Sequence, residues 1–261
     1  MSRAETGDVK LVGRQLHYEQ LSFWRNPFAA AFTVGFSVIF LILLAATAGS
    51  QKISFLDNIS EVQYYVPGFA AYGVMSACFN MLAISLVVRR ETGLLKRLRL
   101  SPLPTWVMVA ALFLNALVIS VVEVIVLVAV GKLAFGVHLP HNILAFVVAL
   151  LVGSVCFTAL GIGASTIIPN QEAAGPMVSI VFFVLLFLSG LWFPLQSGSV
   201  LARISGYFPL RPMINAMFRP FYLVPGSSAW AWHDLLVVAI WGVVGAYVAV
   251  RRFKWEPRRT S

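Results

Sequence analysis

Long apolar segments alternate with short polar ones along most of this chain. Six of the apolar segments are about long enough to cross a bilayer: residues 28–48, 66–88, 106–130, 143–168, 177–193 and 235–250. About 20 helical residues span a hydrocarbon core of ~30 Å. The strict alternation of a membrane β-strand is absent, so helices should satisfy the backbone. The pattern predicts an all-α integral membrane protein with six transmembrane helices in a single domain, residues 1–261.

Two segments outside the six spans carry shorter helical patterns. Residues 9–25 have an apolar helical face, which predicts a helix lying in the membrane interface. That face consists of Val9, Val12, Leu16 and Phe23. Residues 194–233, between the fifth and sixth spans, are apolar but interrupted by prolines. Their composition predicts a re-entrant outer segment of short helices.

The distribution of charge supports membrane insertion and predicts an orientation. Only 11% of the residues are charged and 59% are hydrophobic, whereas soluble domains carry about 25% charged residues. Of the 19 lysines and arginines, 14 fall in residues 3–25, 89–99 and 251–259. Cytoplasmic loops carry the excess of basic residues, so both termini are predicted to be cytosolic. The basic residues behind the net charge of +9 lie mainly at the ends of the apolar segments, so no nucleic-acid partner is expected.

The most densely charged part of the sequence lies between the second and third spans. We call residues 89–100, RRETGLLKRLRL, the basic segment. Leu94, Leu95 and Leu98 fall on one face of a helix. Ser101-Pro102 ends that helix, because proline disfavours the α conformation in the preceding residue. The basic segment is predicted to form an amphipathic helix at the cytosolic surface.

The sequence contains no arrangement of residues typical of an enzyme active site. The four histidines do not pair with carboxylates at the spacing of metal ligands. Pro140 lies between His138 and His141, and no metal site is predicted. The G-x-x-x-x-G-K-[ST] motif that cradles nucleotide phosphates is also absent from the sequence. Energy from ATP would therefore have to come from another subunit.

Glu123 is the one carboxylate predicted to lie deep inside a span. Burying an ionised carboxylate in a membrane is costly, so such a residue marks either a functional site or a paired group. Two interpretations remain open for it. Glu123 lines a substrate path or coupling route, or, as part of the structure, it pairs with a polar group of a neighbouring helix or stays protonated.

Two motifs give the chain a resemblance to a known family. Residues 90–98, RETGLLKRL, followed by Ser101-Pro102-Leu103, are similar to the R-E-x-G-x-L-x-x-L and S/T-P-L segment of ABC-2 type permeases. Residues 188–194, LSGLWFP, followed by Phe208-Pro209-Leu210 and Arg219, look like that family's pattern after the fifth span. With the N-terminal helix and six spans, the resemblance covers nearly the whole chain. It is closest to the daunorubicin-resistance and nodulation-factor export permeases.

The resemblance implies the membrane subunit of a bacterial ABC exporter with a type V exporter-like fold. The chain would carry no enzyme activity and no cofactor of its own. Two separately encoded ATPase subunits would bind ATP and Mg²⁺, and a second permease copy, identical or a sister permease, would complete the transporter. The first and fifth spans would form the interface between permeases. The substrate would be an amphipathic drug, lipid or glycolipid, exported across the bacterial inner membrane.

The resemblance also assigns roles to individual residues. The basic segment would be the coupling helix that docks in a groove of the ATPase. Its coupling residues would be Arg90, Glu91, Leu94, Leu95, Arg97 and Leu98. The outer gate would contain Phe193, Pro194, Pro209 and Arg219.

A stand-alone proton-coupled secondary carrier that uses Glu123 is the alternative function. Carriers usually offer more than one such residue, and polar discontinuities within paired spans, and the six spans show no internal repeat. An integral membrane enzyme or assembly factor is a third possibility, but it would need a cluster of polar residues at one interface.

Overall fold

The computed structural model describes residues 3–48, 52–53, 59–94, 104–192, 195, 198–222 and 228–252. Within these ranges, six helices are long and apolar enough to cross a membrane. They are Ala30–Ala48, Glu61–Glu91, Trp106–Phe135, Ile143–Ile167, Gln171–Leu188 and Trp232–Arg252. The predicted all-α membrane fold with six spans is therefore confirmed.

The elements that position the candidate site are labelled in chain order. The helices are α1 Arg3–Trp24, α2 Pro27–Ala48, α3 Glu61–Met75, α4 Leu82–Glu91, α5 Thr105–Phe135, α6 Ile143–Ile167, α7 Gln171–Leu188, α8 Val200–Ser205, α9 Leu210–Phe218 and α10 Trp232–Arg252. A π-helical segment, Ser76–Met81, joins α3 to α4, and these three together form the second span. The first span is α2, the third to fifth are α5 to α7, and the sixth is α10. Two short antiparallel strands, β1 Lys52–Ile53 and β2 Ile59–Ser60, precede α3.

The second span is the centre of the bundle. The hydroxyl of Ser60 accepts a hydrogen bond from the backbone N–H of Gln63 at 3.3 Å and so caps the helix. The buried residues of α3 include nearly its whole length. The span packs against α2, α5, α6 and α9. Because most of its surface faces other helices, the second span has little surface left for lipid.

The fourth and sixth spans pack with their backbones in close contact. A Cβ atom added at Gly245 would lie 2.6 Å from the backbone nitrogen of Leu160, and one at Gly163 would lie 3.0 Å from the carbonyl oxygen of Gly245. A Cβ at Gly161 would lie 2.8 Å from the carbonyl oxygen of Cys78 in the second span. The sequence predicts that Gly161 and Gly163 admit neighbouring helices closely. That prediction is confirmed.

Several predicted boundaries are wrong by a few residues. The N-terminal helix, predicted over residues 9–25, begins at Arg3 and ends at Trp24. The fifth span, predicted from residue 177, begins at Gln171, because the Asn170 side chain accepts a hydrogen bond from Ala173 N at 2.9 Å and caps the helix. Pro176 lies inside this helix rather than before it.

The predicted helix over residues 89–100 requires a similar correction at its start. Arg89, Arg90 and Glu91 form the last turn of α4 and so belong to the second span. The chain leaves the helix at Thr92, and Gly93 takes a left-handed conformation with φ of +72°. Glycine adopts this conformation without steric cost, which is why it ends helices. Residues 95–103 lie outside the described residues.

The N-terminal helix turns part of its predicted apolar face toward the bundle and part outward. It packs against α5 and α2, and its buried side chains include Glu19 and Phe23. Val9, predicted on the membrane-facing side, is 62% exposed. Phe23, from the same predicted face, packs inward with Ala30, Ala77 and Ile119.

Candidate functional site

The last turn of α4 fixes the start of the basic segment through two adjacent arginines. The guanidinium of Arg89 donates to both carboxylate oxygens of Glu19, at 2.7 and 2.6 Å. Its Nε donates to the hydroxyl of Ser85 at 3.1 Å. A bidentate pair of this kind is short and directional. It therefore joins α1 to the end of the second span.

Arg90 points into a different part of the bundle and is only 4% exposed. Its guanidinium donates to the carbonyl oxygens of Ser165 at 3.1 Å, Ile168 at 2.8 Å and Pro169 at 3.2 Å. The last carbonyl groups of a helix have no partner within that helix and carry partial negative charge. Arg90 thus caps the end of the fourth span.

Of the next residues of the basic segment, Glu91 binds Arg90 and Leu94 is exposed. Glu91 accepts a hydrogen bond from Arg90 Nε at 3.0 Å and so holds that guanidinium in place. Leu94 is 41% exposed, as a docking residue would have to be. The other predicted coupling residues, Leu95, Arg97 and Leu98, lie outside the described residues.

Sequence reasoning missed the residues of α1 that anchor it to the bundle. Glu19 binds Arg89, and Gln20 donates through Nε2 to the side-chain oxygen of Asn115 at 2.9 Å and to its carbonyl oxygen at 3.2 Å. Gln15 donates to Glu19 at 3.1 Å. The available signal was that polar residues recur at positions 15, 19 and 20, on the side of the helix that also carries Phe23.

Glu123 is fully buried where the first three spans meet. Its Oε1 accepts a hydrogen bond from Ser37 of the first span, and its Oε2 has no hydrogen-bond partner among the described residues. A Cβ at Gly73 of the second span would lie 2.5 Å from the carboxylate carbon. The carboxylate therefore occupies the space that Gly73 leaves free. Glu123 thus has a hydrogen-bond partner on a neighbouring helix and one oxygen that is unpartnered among the described residues.

A cavity of about 550 Å³ opens between the first, second and fifth spans. Its aromatic lining residues are Phe32, Phe36, Tyr72, Phe182 and Phe183. Met81, Ile84 and several hydroxyl and amide side chains complete the lining, and none of its described lining residues is charged. The Oδ1 atom of Asn80 is buried there without a hydrogen-bond partner in the described chain. Glu123 does not line this cavity.

The predicted outer-gate residues that the structure describes bound the helix α9. Pro209 precedes its first residue, and Arg219 follows its last. Arg219 lies 3.8 Å from Asp234 at the start of the sixth span, and Asn215 donates to the same carboxylate at 3.3 Å. The buried face of α9 packs against the second, fourth and sixth spans. Phe193 and Pro194 lie outside the described residues.

The sequence matches the family model of the ABC-2 type transporter over residues 13–222. It is 23% identical over 199 residues to "Probable multidrug ABC transporter permease YbhR" of Escherichia coli (strain K12), an alignment that covers 75% of this chain and 54% of the relative. It is 28% identical over 184 residues to "Putative transport permease YvfS" of Bacillus subtilis (strain 168), which covers 70% of this chain and 73% of the relative. The chain thus spans about half the length of the first relative.

Proposed function

The chain belongs to the ABC-2 type transporter family, and we propose that it is the permease subunit of an ATP-driven exporter. The match over residues 13–222 is the observation that carries this proposal, because it includes the first five spans, the basic segment and α9. Permeases of this family are membrane transport components rather than catalysts. Hydrolysis of ATP would take place on a separate subunit.

A separate ATPase is the partner that the basic segment fits best. Leu94 is exposed where the chain leaves α4, and Leu95 and Leu98 continue the same apolar helical face in the sequence. A short apolar face flanked by basic residues suits a groove on a soluble subunit. Two ATPase copies would serve two permease copies, and the exposed apolar faces of the first and fifth spans would meet between the permeases.

The proposed orientation places the arginine-rich end of the bundle in the cytoplasm of a bacterial cell, at the inner membrane. Basic residues concentrate in residues 3–25, 89–99 and 251–259, and positively charged loops stay on the cytoplasmic side. The opposite end, with α8 and α9, would face outward and contain the outer gate.

The cavity between the first, second and fifth spans is the proposed substrate path. Its aromatic lining suits a large apolar body, and the Oδ1 atom of Asn80, unpartnered among the described residues, suits a hydrogen-bond donor on the same molecule. An amphipathic drug, lipid or glycolipid meets both requirements. Export of drugs by such a path would confer resistance to them.

Co-purification tests the proposed function directly. Tagged chain, extracted from its own host in mild detergent, should bring with it a stoichiometric soluble subunit that hydrolyses ATP. Leu98→Asp should reduce the amount of that subunit at least tenfold, because a charge on the leucine face costs more than 1.4 kcal/mol of docking energy, about tenfold in affinity. Val200→Asp, at an exposed position of α8, serves as the control and should leave the subunit bound.

The outcome contradicts the proposal if wild-type chain purifies without any ATPase while it still transports a fluorescent amphiphile in vesicles. Release of the ATPase by both substitutions would contradict docking through the leucine face specifically.

The proton-coupled carrier is retained as a second candidate because Glu123 is buried with one oxygen that has no partner in the described part of the chain. Glu123→Gln separates the two functions, since glutamine still accepts a hydrogen bond from Ser37 but exchanges no proton at this position. For the ATP-driven exporter we expect transport within about twofold of wild type. A carrier would lose transport altogether. Uptake of a fluorescent amphiphile into inverted vesicles, driven by ATP or by a proton gradient alone, measures the difference.

A further inference from the structure

The two arginines at the end of α4 bind neighbours on different sides of the second span. Arg89 is held by Glu19 of α1, whereas Arg90 is held by the carbonyl groups at the end of the fourth span. Successive residues of an α-helix point about 100° apart, so adjacent side chains cannot share a partner surface. The basic segment is consequently connected to two separate parts of the bundle where it begins.

We propose that Arg90 is the positioning residue that makes the end of the fourth span move together with the basic segment when the ATPase acts. This inference rests on the proposed exporter function. Arg90 would not contact the ATPase, because its guanidinium is buried within the chain.

The contact between Arg90 and the fourth span is rigid enough to transmit a displacement. Its planar guanidinium binds three carbonyl oxygens, of Ser165, Ile168 and Pro169, and Glu91 holds its Nε from the other side. An arginine fixed by several directional bonds has few alternative rotamers. A shift of the α4 terminus therefore carries these carbonyl groups with it.

The connection from Arg90 toward the docking surface is also short and ordered. The backbone N–H of Gly93 donates to the carbonyl oxygen of Arg90 at 3.1 Å, and the N–H of Thr92 donates to that of Val88 at 2.9 Å. These bonds close the helix end into a tight turn. Leu94, the first exposed leucine of the docking face, follows directly.

Beyond the fourth span, the displacement would reach the sixth. Gly163 and Gly245 bring the two backbones into direct contact, with no side chain between them that could change rotamer and absorb a shift. The guanidinium of Arg90 thus adds a polar link at the helix ends to the packing of the second span on the fourth, and through the fourth span it reaches the sixth.

A distance measurement tests the inference without any need to know the substrate. Nitroxide labels would be placed at Thr92, on the exposed helix end, and at Ile167, on the exposed end of the fourth span, after both native cysteines are replaced by alanine. The labelled permease would be studied with its ATPase in lipid nanodiscs, without nucleotide and trapped with Mg-ADP-vanadate. Dipolar broadening of the spectrum reports the separation of the two labels.

With Arg90 present, we expect the separation to be the same in both states. In Arg90→Gln we expect it to change between the states by about 1–2 Å, the size of an ordinary helix shift at an interface. Arg90→Lys, which keeps the charge and one donor group, should give an intermediate change. Arg89→Gln is the matched control, since it removes the neighbouring arginine but leaves the fourth span capped, and its separation should equal that of wild type.

An Arg90→Gln separation that stays constant, or an Arg89→Gln separation that changes equally, would show that Arg90 only caps the helix locally. A separation that already changes in wild type would overturn the inference as well. Binding of the ATPase is measured in parallel with unlabelled chain that is prepared in the same way. Its absence would contradict the proposed function, and the role of Arg90 with it, and is thereby distinguished from failure of the inference alone.

Discussion

Gly245→Ala should destabilise the folded bundle, because the added methyl group meets the backbone of the fourth span. The new Cβ would lie 2.6 Å from the backbone nitrogen of Leu160 and 2.8 Å from the carbonyl carbon of Ala159. Backbone atoms of a packed helix cannot rotate away, so the sixth span would have to move outward. Overpacking of this kind costs about 1–3 kcal/mol. For a protein of this size we expect a fall in Tm of about 5 °C, measured by thermal unfolding in detergent.

Gly35→Ala in the first span is the control for this prediction, because nothing lies within 4 Å of its added Cβ. Alanine favours a helix over glycine by up to ~1 kcal/mol, so Gly35→Ala should leave Tm unchanged or raise it. Equal losses of Tm in the two variants would show that the close contact between the fourth and sixth spans does not hold the bundle together.

The parts of the fold that hydropathy predicts are those that the bilayer itself demands. Each crossing needs a continuous apolar helix, and such segments are visible in any sequence. The close approach at Gly161 and Gly163 could be predicted for a related reason: small residues spaced along an apolar helix leave room for a second backbone. Neither argument says which helices meet.

The pairing of polar side chains could not be predicted, because it depends on which distant helices become neighbours. Glu19 and Arg89 are 70 residues apart, and Arg90 is 75 residues from Ser165. The sequence identifies each of them only as a charged or polar residue near the end of a helix. A basic residue next to a soluble partner's docking face is typically interpreted as part of that face. Both arginines are instead bound within the chain.

The motif R-E-x-G acquires a physical explanation from the same contacts. Arg90 caps the fourth span, Glu91 holds Arg90, and Gly93 provides the left-handed turn that directs the chain out of α4. Leu94 lies beyond this turn and is the first residue of the motif with an exposed apolar side chain. In the proposed function, the motif therefore builds the support of the leucine face before that face begins.

Loss of the Glu19–Arg89 pair should release α1 from the second span. Arg89→Gln leaves the Glu19 carboxylate, which is only 6% exposed, with Gln15 as its donor. Removing one partner of a buried ion pair costs about 3–5 kcal/mol, and because a fifth of the Arg89 side chain is exposed we expect about 2–3 kcal/mol here. The result should be a lower Tm and faster proteolysis within α1.

Exchange of the two charges distinguishes this pair from other effects of the substitutions. Glu19→Arg combined with Arg89→Glu should recover at least half of the stability that either single substitution removes, because the ion pair is rebuilt in reverse. The coupling energy from the double-mutant cycle should reach about 1–3 kcal/mol. Arg252→Gln, at an exposed end of the sixth span, should change Tm by less than 2 °C, since it removes less than about 0.5 kcal/mol. A cycle whose coupling energy is zero would mean that α1 is held by Gln20, Asn115 and apolar packing, and that Arg89 contributes only its charge at the membrane surface.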